Sequence, residues 1–268
     1  MVHFAPTSDS APDIEPVPQA LPCEPRQHRA SFRAAAGRSL TRPGPSLSTH
    51  ERLVLETAAA RETLLSIPII RRTLGGDVAR AEYLLFLQQV YHHVRHTVPR
   101  VMEMRHQLPE RLRWMQPAVA GYIAAESSHE QWILDDIAEA GGDAAAARQS
   151  TPLPATEMMM AYAHDTIQRG NPVGFLGMVF VLESASAALS MLAAGAIQRA
   201  LNLPRTALRY LSSHAVRDLA HVGFYRDLVN RIDDESDRQA LINAAGRFYE
   251  LYGAIFHAID DAGLHGTC

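Results

Sequence analysis

The chain has 268 residues, 25 basic and 29 acidic side chains, a formal net charge of −4 and 47% hydrophobic residues, which is enough for one large domain with a sizeable core. The slightly acidic balance argues against affinity built on phosphate contacts, so no nucleic-acid partner is expected. Every basic residue is an arginine, which removes Schiff-base catalysis, lysine-bound pyridoxal phosphate and the phosphate-loop lysine signature.

Two cysteines, Cys23 and Cys268, build neither a disulfide framework nor a thiolate metal site, and the cytoplasm is the expected compartment. Residues 1–46 carry prolines at 6, 12, 16, 18, 22, 25, 43 and 45 with no apolar run of signal-peptide length. This stretch reads as a disordered Pro/Ala/Arg-rich leader. Over 47–268 apolar residues recur at helical spacing and no alternating runs occur, which predicts a single all-α bundle. The segments are 48–65, 77–107, 109–140, 154–169, 172–202, 204–231 and 235–263, about seven helices. Gly75-Gly76, Gly141-Gly142, Gly170-Asn171-Pro172 and Asn202-Leu203-Pro204 separate them as helix stops and restarts.

The second helix carries Tyr91-His92-His93-Val94-Arg95-His96 and Arg100. His92 and His96 are i, i+4 neighbours and form a polar stripe with Glu103. Solvent-facing histidines explain it, as does a substrate-lining role in which Arg95 or Arg100 clamps a carboxylate.

In the third segment, Glu126 and His129 form a Glu-x-x-His pair, the i, i+3 arrangement of di-iron carboxylate bundles. Glu130 is a competing carboxylate, and Tyr122 shares the face of His129. The segment from Pro172 to Ile197 is long and apolar enough to cross a bilayer, yet Glu183 near its middle and the lack of a flanking girdle predict a buried central helix and no membrane partner. A carboxylate there must be protonated, paired or bound to a cation.

His214, Asp218 and His221 follow at i, i+4 and i+7, within a sector of roughly 60° on one helix face. Two imidazoles and a carboxylate on one stripe suit non-haem iron. A solvated polar face fits less well, because Tyr210 and Leu211 continue the same stripe as apolar surface. Three helices together offer three carboxylates and three imidazoles, a sensible ligand set for two irons sharing a bridging glutamate. On the last helix, Phe248, Tyr249, Tyr252, Phe256 and Ile259 form an aromatic stripe that suits core packing or a homodimer face.

The order Glu126-x-x-His129, then Glu183 about fifty residues later, then His214-x3-Asp218-x2-His221 about thirty residues on resembles the haem-oxygenase-like di-iron oxidases and oxygenases. The resemblance covers about 120–268, with weaker support from 48–119. It implies a seven-helix haem-oxygenase-type bundle that holds two Fe(II) ions per chain through Glu126, His129, Glu183, His214, Asp218 and His221. Some members take their first glutamate from seven positions before the first histidine, which is Tyr122 here. The version with Glu-x-x-His, as in the 1-alkene-forming fatty-acid decarboxylases, fits better.

The activity so implied is O2 activation on a small molecule, either N-oxygenation or oxidative cleavage and decarboxylation of an amino acid, amine or carboxylic acid. Natural-product biosynthesis is the expected setting, with an external electron donor as a further partner. His92, Arg95, His96, Arg100 and Tyr122 are the candidates for substrate binding. The alternatives are a non-catalytic helical interaction or iron-binding protein of the same fold, and a cofactor-independent oxidase, which would not need the His214–His221 stripe.

Overall fold

The computed structural model describes residues 47–127 and 129–265, with the side chains of 214–221 and of 264–265 outside the description. The expected disordered leader over 1–46 lies outside it as well. The first helix, α1 (Thr49–Glu56), begins on a capping box. The Glu51 N–H donates to Ser48 Oγ at 3.3 Å, and the Ser48 N–H donates to Glu51 Oε2 at 2.8 Å, so two otherwise orphaned donors are satisfied reciprocally.

The all-α expectation holds, but eleven α-helices stand among the described residues where about seven were expected. The first segment breaks at Thr57 into α1 and α2 (Ala58–Leu65), and α3 (Pro68–Leu74) starts anew on its proline. After α4 (Arg80–Gln107), a 3-10 turn over Glu110–Met115 leads into α5 (Gln116–Glu126) and α6 (His129–Glu139). These two are separated at Ser127, whose ψ of 133° is extended. The short α7 (Ala144–Gln149) is capped by Asp143, which accepts from the N–H groups of Ala145 and Ala146. Then come α8 (Pro154–Gln168), α9 (Phe175–Leu201), α10 (Arg209–Val229) and α11 (Glu235–His265). The expected stop after α9 is an Asn202 in the left-handed conformation (φ 50°), which asparagine tolerates.

The long helices pack around α9, which contacts α10, α11, α3, α4 and α8, while α4 packs on α6 and α8. One core cluster gathers Met104, Met159, Phe175, Val181 and Phe248. A second gathers Leu87, Ile133, Ile197, Leu208 and Leu211. By length and composition α9 passes as a membrane span, but the run Phe175–Val181 is buried in the domain, so its apolarity is that of a core helix. Arg72 ties three elements together, donating to Glu82 at 2.9 Å and Asp260 at 2.7 Å.

The α9–α11 contact is backbone against backbone. A Cβ on Gly177 would sit 2.6 Å from Ala245 N and 3.0 Å from Leu241 O, so any side chain there forces the helices apart. Gly177→Ala is therefore expected to destabilise the fold by about 1–3 kcal/mol, read as a lower urea midpoint.

Candidate metal centre

Glu126 is the last residue of α5 and His129 the first of α6. The expected i, i+3 pair thus straddles a helix break. The contact survives, with His129 Nδ1 and Glu126 Oε2 3.0 Å apart and both side chains buried at 1% and 7% exposure. The competing Glu130 is exposed. Glu126 Oε1 is buried with no hydrogen-bond partner among the described residues.

Glu183, in the middle of α9, is also buried. Tyr122, one turn before Glu126, donates its hydroxyl to Glu183 Oε1 at 3.2 Å. Burial, and then the carboxylates of Glu126 and Glu183, push the Tyr122 phenol well above its ordinary pKa. Tyr122 therefore keeps its proton and sits electrostatically between the carboxylates of α5 and α9.

The third part of the expected set lies on α10. The backbone of 214–221 is helical and α10 packs against both α9 and α6, which carry Glu183 and His129. The side chains of His214, Asp218 and His221 lie outside the described residues. Among the described residues no three histidine, cysteine, aspartate or glutamate side chains come close enough to hold a metal by themselves. Glu126, His129 and Glu183 thus offer buried oxygen and nitrogen donors of the kind that suits ferrous iron.

Of the residues considered for substrate, Tyr122 touches this group. His92 is buried, with Nε2 2.8 Å from Ser150 Oγ, and burial foremost lowers its pKa. Arg95 is exposed and lies over the Tyr91 ring, 5.4 Å from its centroid. His96 is half-buried, its pKa lowered by burial and then by Arg95 and Arg100. Arg100 is committed to Glu103 at 2.6 Å and meets His164 Nδ1 at 2.8 Å. Glu103 is thereby withdrawn from any stripe with His92. Asp165 pairs with Arg169 rather than with His164.

One residue escaped the sequence reading. Asp136 on α6 is fully buried and accepts from the N–H groups of Arg209 (3.1 Å) and Tyr210 (2.8 Å). Those are the first two residues of α10, so Asp136 caps from outside the helix that carries the expected iron stripe. Burial raises its pKa to about 6, and the two N–H groups and Arg209 oppose the rise. Its one sequence signal is its place seven residues after His129, on the same stripe of α6.

Two cavities lie along α9. The larger, about 110 Å3, is lined mostly by apolar side chains such as Ile70, Leu189, Ala193 and Phe256, with Leu182 and Tyr210 also in its wall. The smaller, about 30 Å3, has Glu183 and Tyr122 in its wall.

A family model described as an iron-containing redox enzyme matches residues 84–253. Among curated proteins, none matches this chain. Solved structures share the fold. A domain of unknown function with a heme oxygenase-like fold from Shewanella denitrificans is 22% identical with a TM-score of 0.73, covering 82% of this chain and 96% of that one. A TenA homolog from Pseudomonas syringae pv. tomato is 11% identical, TM-score 0.68, covering 84% and 100%. Heme oxygenase-1 from the cyanobacterium Synechocystis, in complex with heme, is 14% identical, TM-score 0.64, covering 82% and 96%.

Anaerobic ferrous titration should separate the two carboxylates of the α5–α6 junction. Iron affinity should fall about tenfold or more in Glu126→Ala and stay within about twofold in Glu130→Ala. Asp136 should titrate at about 6 in carboxyl NMR. Its folded pKa lies above the ordinary 3.8, so the folded chain takes up a proton on acidification before the unfolded chain does. That contribution to stability grows as pH falls through about 6, is complete below 3.8, and should vanish from the pH–stability profile of Asp136→Asn.

Proposed function

The chain belongs to the iron-containing redox enzyme family, and from that premise we propose that it is an O2-activating non-haem di-iron oxidase or oxygenase acting on an amine, amino acid or carboxylic acid. The observation that carries this reading is Glu126 Oε1, buried and without a hydrogen-bond partner among the described residues, next to His129 and on the helix whose Tyr122 holds Glu183. Buried carboxylates of this kind call for a cation. Glu126, His129, Glu183, His214, Asp218 and His221 are the residues that would hold it. Carboxylate-rich oxygen and nitrogen donors favour bare iron over a haem held by one axial histidine.

Iron bound there would supply the reductive activation of dioxygen, with an external donor as a further partner. The chain's own residues do the rest. Tyr122 fixes one oxygen of Glu183 and keeps a proton at its hydroxyl. Asp136 holds the start of α10 against α6 and so sets the height of the α10 stripe. The large cavity keeps water away from the reacting group.

That cavity also narrows the substrate. Its described lining includes no arginine or histidine, and Glu82, the charged residue in it, is occupied by Arg72 and the Ala79 N–H. An apolar body would fit along it, with the polar, reacting end toward Tyr210 and Leu182, the chain neighbour of Glu183. Natural-product assembly, where such substrates are tailored, is the setting this reading fits.

Anaerobic titration should saturate at about two ferrous ions per chain, and mixing with oxygenated buffer should oxidise them. Glu183→Ala and Asp218→Ala should each lose iron and turnover while keeping their far-UV circular dichroism. Full activity in either variant would refute the ligand set.

A further inference from the structure

We propose that the small cavity beside Glu183 is a dioxygen pocket, separate from the cavity that takes the organic substrate. The proposal rests on the oxygen-using reading above and deepens it by assigning the two substrates to two places.

The cavities lie in series along α9. The larger one is lined by α9 residues from Leu182 to Ile197, the smaller one by Phe175, Leu176, Val179 and Glu183. On α10 the order is reversed. Tyr210 and Leu211 face the larger cavity, and Phe224, Tyr225 and Leu228 face the smaller. The stretch of α10 that carries His214, Asp218 and His221 thus falls between the two linings, and Glu183 stands where they meet on α9.

Size sorts the occupants. The small cavity measures about 30 Å3, about twice the 10–15 Å3 that one water needs by the same measure. A diatomic molecule fits, whereas an organic amine or acid of several carbons does not.

Chemistry sorts them further. The Tyr225 hydroxyl donates to Leu176 O at 2.8 Å, and the Tyr122 hydroxyl donates to Glu183. Both phenol protons facing the cavity are therefore committed. Most of the remaining wall is apolar, including Val101, Met104, Val119 and Phe175. A water needs two to four polar partners to be held, and the described lining offers few beyond the Glu183 carboxylate. Dioxygen needs none, and it partitions from water into apolar space.

Access is short. Phe224 lines the cavity and is 47% exposed, so its ring reaches from the cavity wall to solvent. A ring that swings admits a gas and still screens a larger molecule.

Xenon, an apolar probe of similar size, tests the assignment without turnover. Xenon-pressurised crystals, or xenon NMR in solution, should show an atom bounded by Val179, Phe175 and Tyr225 in the unmodified chain. Val179→Phe should fill the cavity and abolish that site. The same variant, loaded with ferrous iron to the unmodified stoichiometry, should show an oxygen-dependent oxidation rate lowered about tenfold. Ala118→Leu, on the α5 wall, makes the same test if Val179→Phe does not fold. Xenon confined to the larger cavity, or a folded variant that excludes xenon yet keeps its oxygen dependence, would overturn this proposal alone. Absence of iron binding in the unmodified chain would overturn the oxygen-using reading, and this proposal with it.

Discussion

The structure turns on the burial of carboxylates. Glu183 sits within an apolar helix and Glu126 lies close enough for both to act on one tyrosine. Two carboxyl groups in a poorly solvated interior have each lost their water, and their ionised forms would repel. The Tyr122 phenol donates a hydrogen bond to Glu183, which offsets part of that cost. The helix break at Ser127 adds to it. Glu126 ends α5 and His129 begins α6, so the carboxylate meets the negative end of one helix dipole and the imidazole the positive end of the next. Neither terminus favours the charges of a self-contained ion pair. A multivalent cation in that space would offset the repulsion and the lost hydration of the carboxylates.

Asp136 shows the opposite logic. It too is a buried carboxylate, but it faces the N-terminus of α10 and receives two backbone donors there. Dipole and hydrogen bonds both favour an acceptor in that position. Its work is positional: α6 brings His129 into the interior at one end and grips α10 at the other, so a single helix sets the distance between two parts of the expected iron set. Removing a buried acceptor that satisfies two N–H groups leaves both orphaned, which is why this contact belongs to the site although it never reaches the carboxylates.

What was legible in the sequence follows from what is local. Glu183 stood out because the cost of a carboxylate in an apolar run is visible along one helix, and its burial agrees. The long helices α4, α9, α10 and α11 were legible from periodicity, and their ends from glycine, asparagine and proline. The breaks at Thr57 and Ser127 were not, since neither residue forbids a helix and each break is fixed by packing. The Glu126–His129 spacing was read as one helical face, whereas α5 ends at the first residue and α6 begins at the second. Sequence could not choose between Glu126 and Glu130, adjacent in the same turn by periodicity. The break buries Glu126 and leaves Glu130 exposed. Arg95 and Arg100 stood out by polarity, a signal that does not tell an inward face from an outward one, and Arg100 is occupied by Glu103. Asp136 could not be read at all, because its partners lie seventy residues away and are backbone atoms.

The apolarity of α9 is then a requirement of the centre. Over Phe175–Val181 the helix is buried on every side and has no face left for polar residues, and its composition there comes to match that of a membrane span. Glycine at 177 lets α11 approach to backbone contact, and Ser186 and Ser190 satisfy each other at 2.8 Å where they border the large cavity. The dry surroundings make every charge at Glu183 count for more than it would in water. They raise the cost of leaving that carboxylate uncompensated, and they would favour apolar reactants next to it. One physical condition, exclusion of water along α9, would thus serve both the affinity of the proposed site for a cation and the delivery of the molecules that would react there.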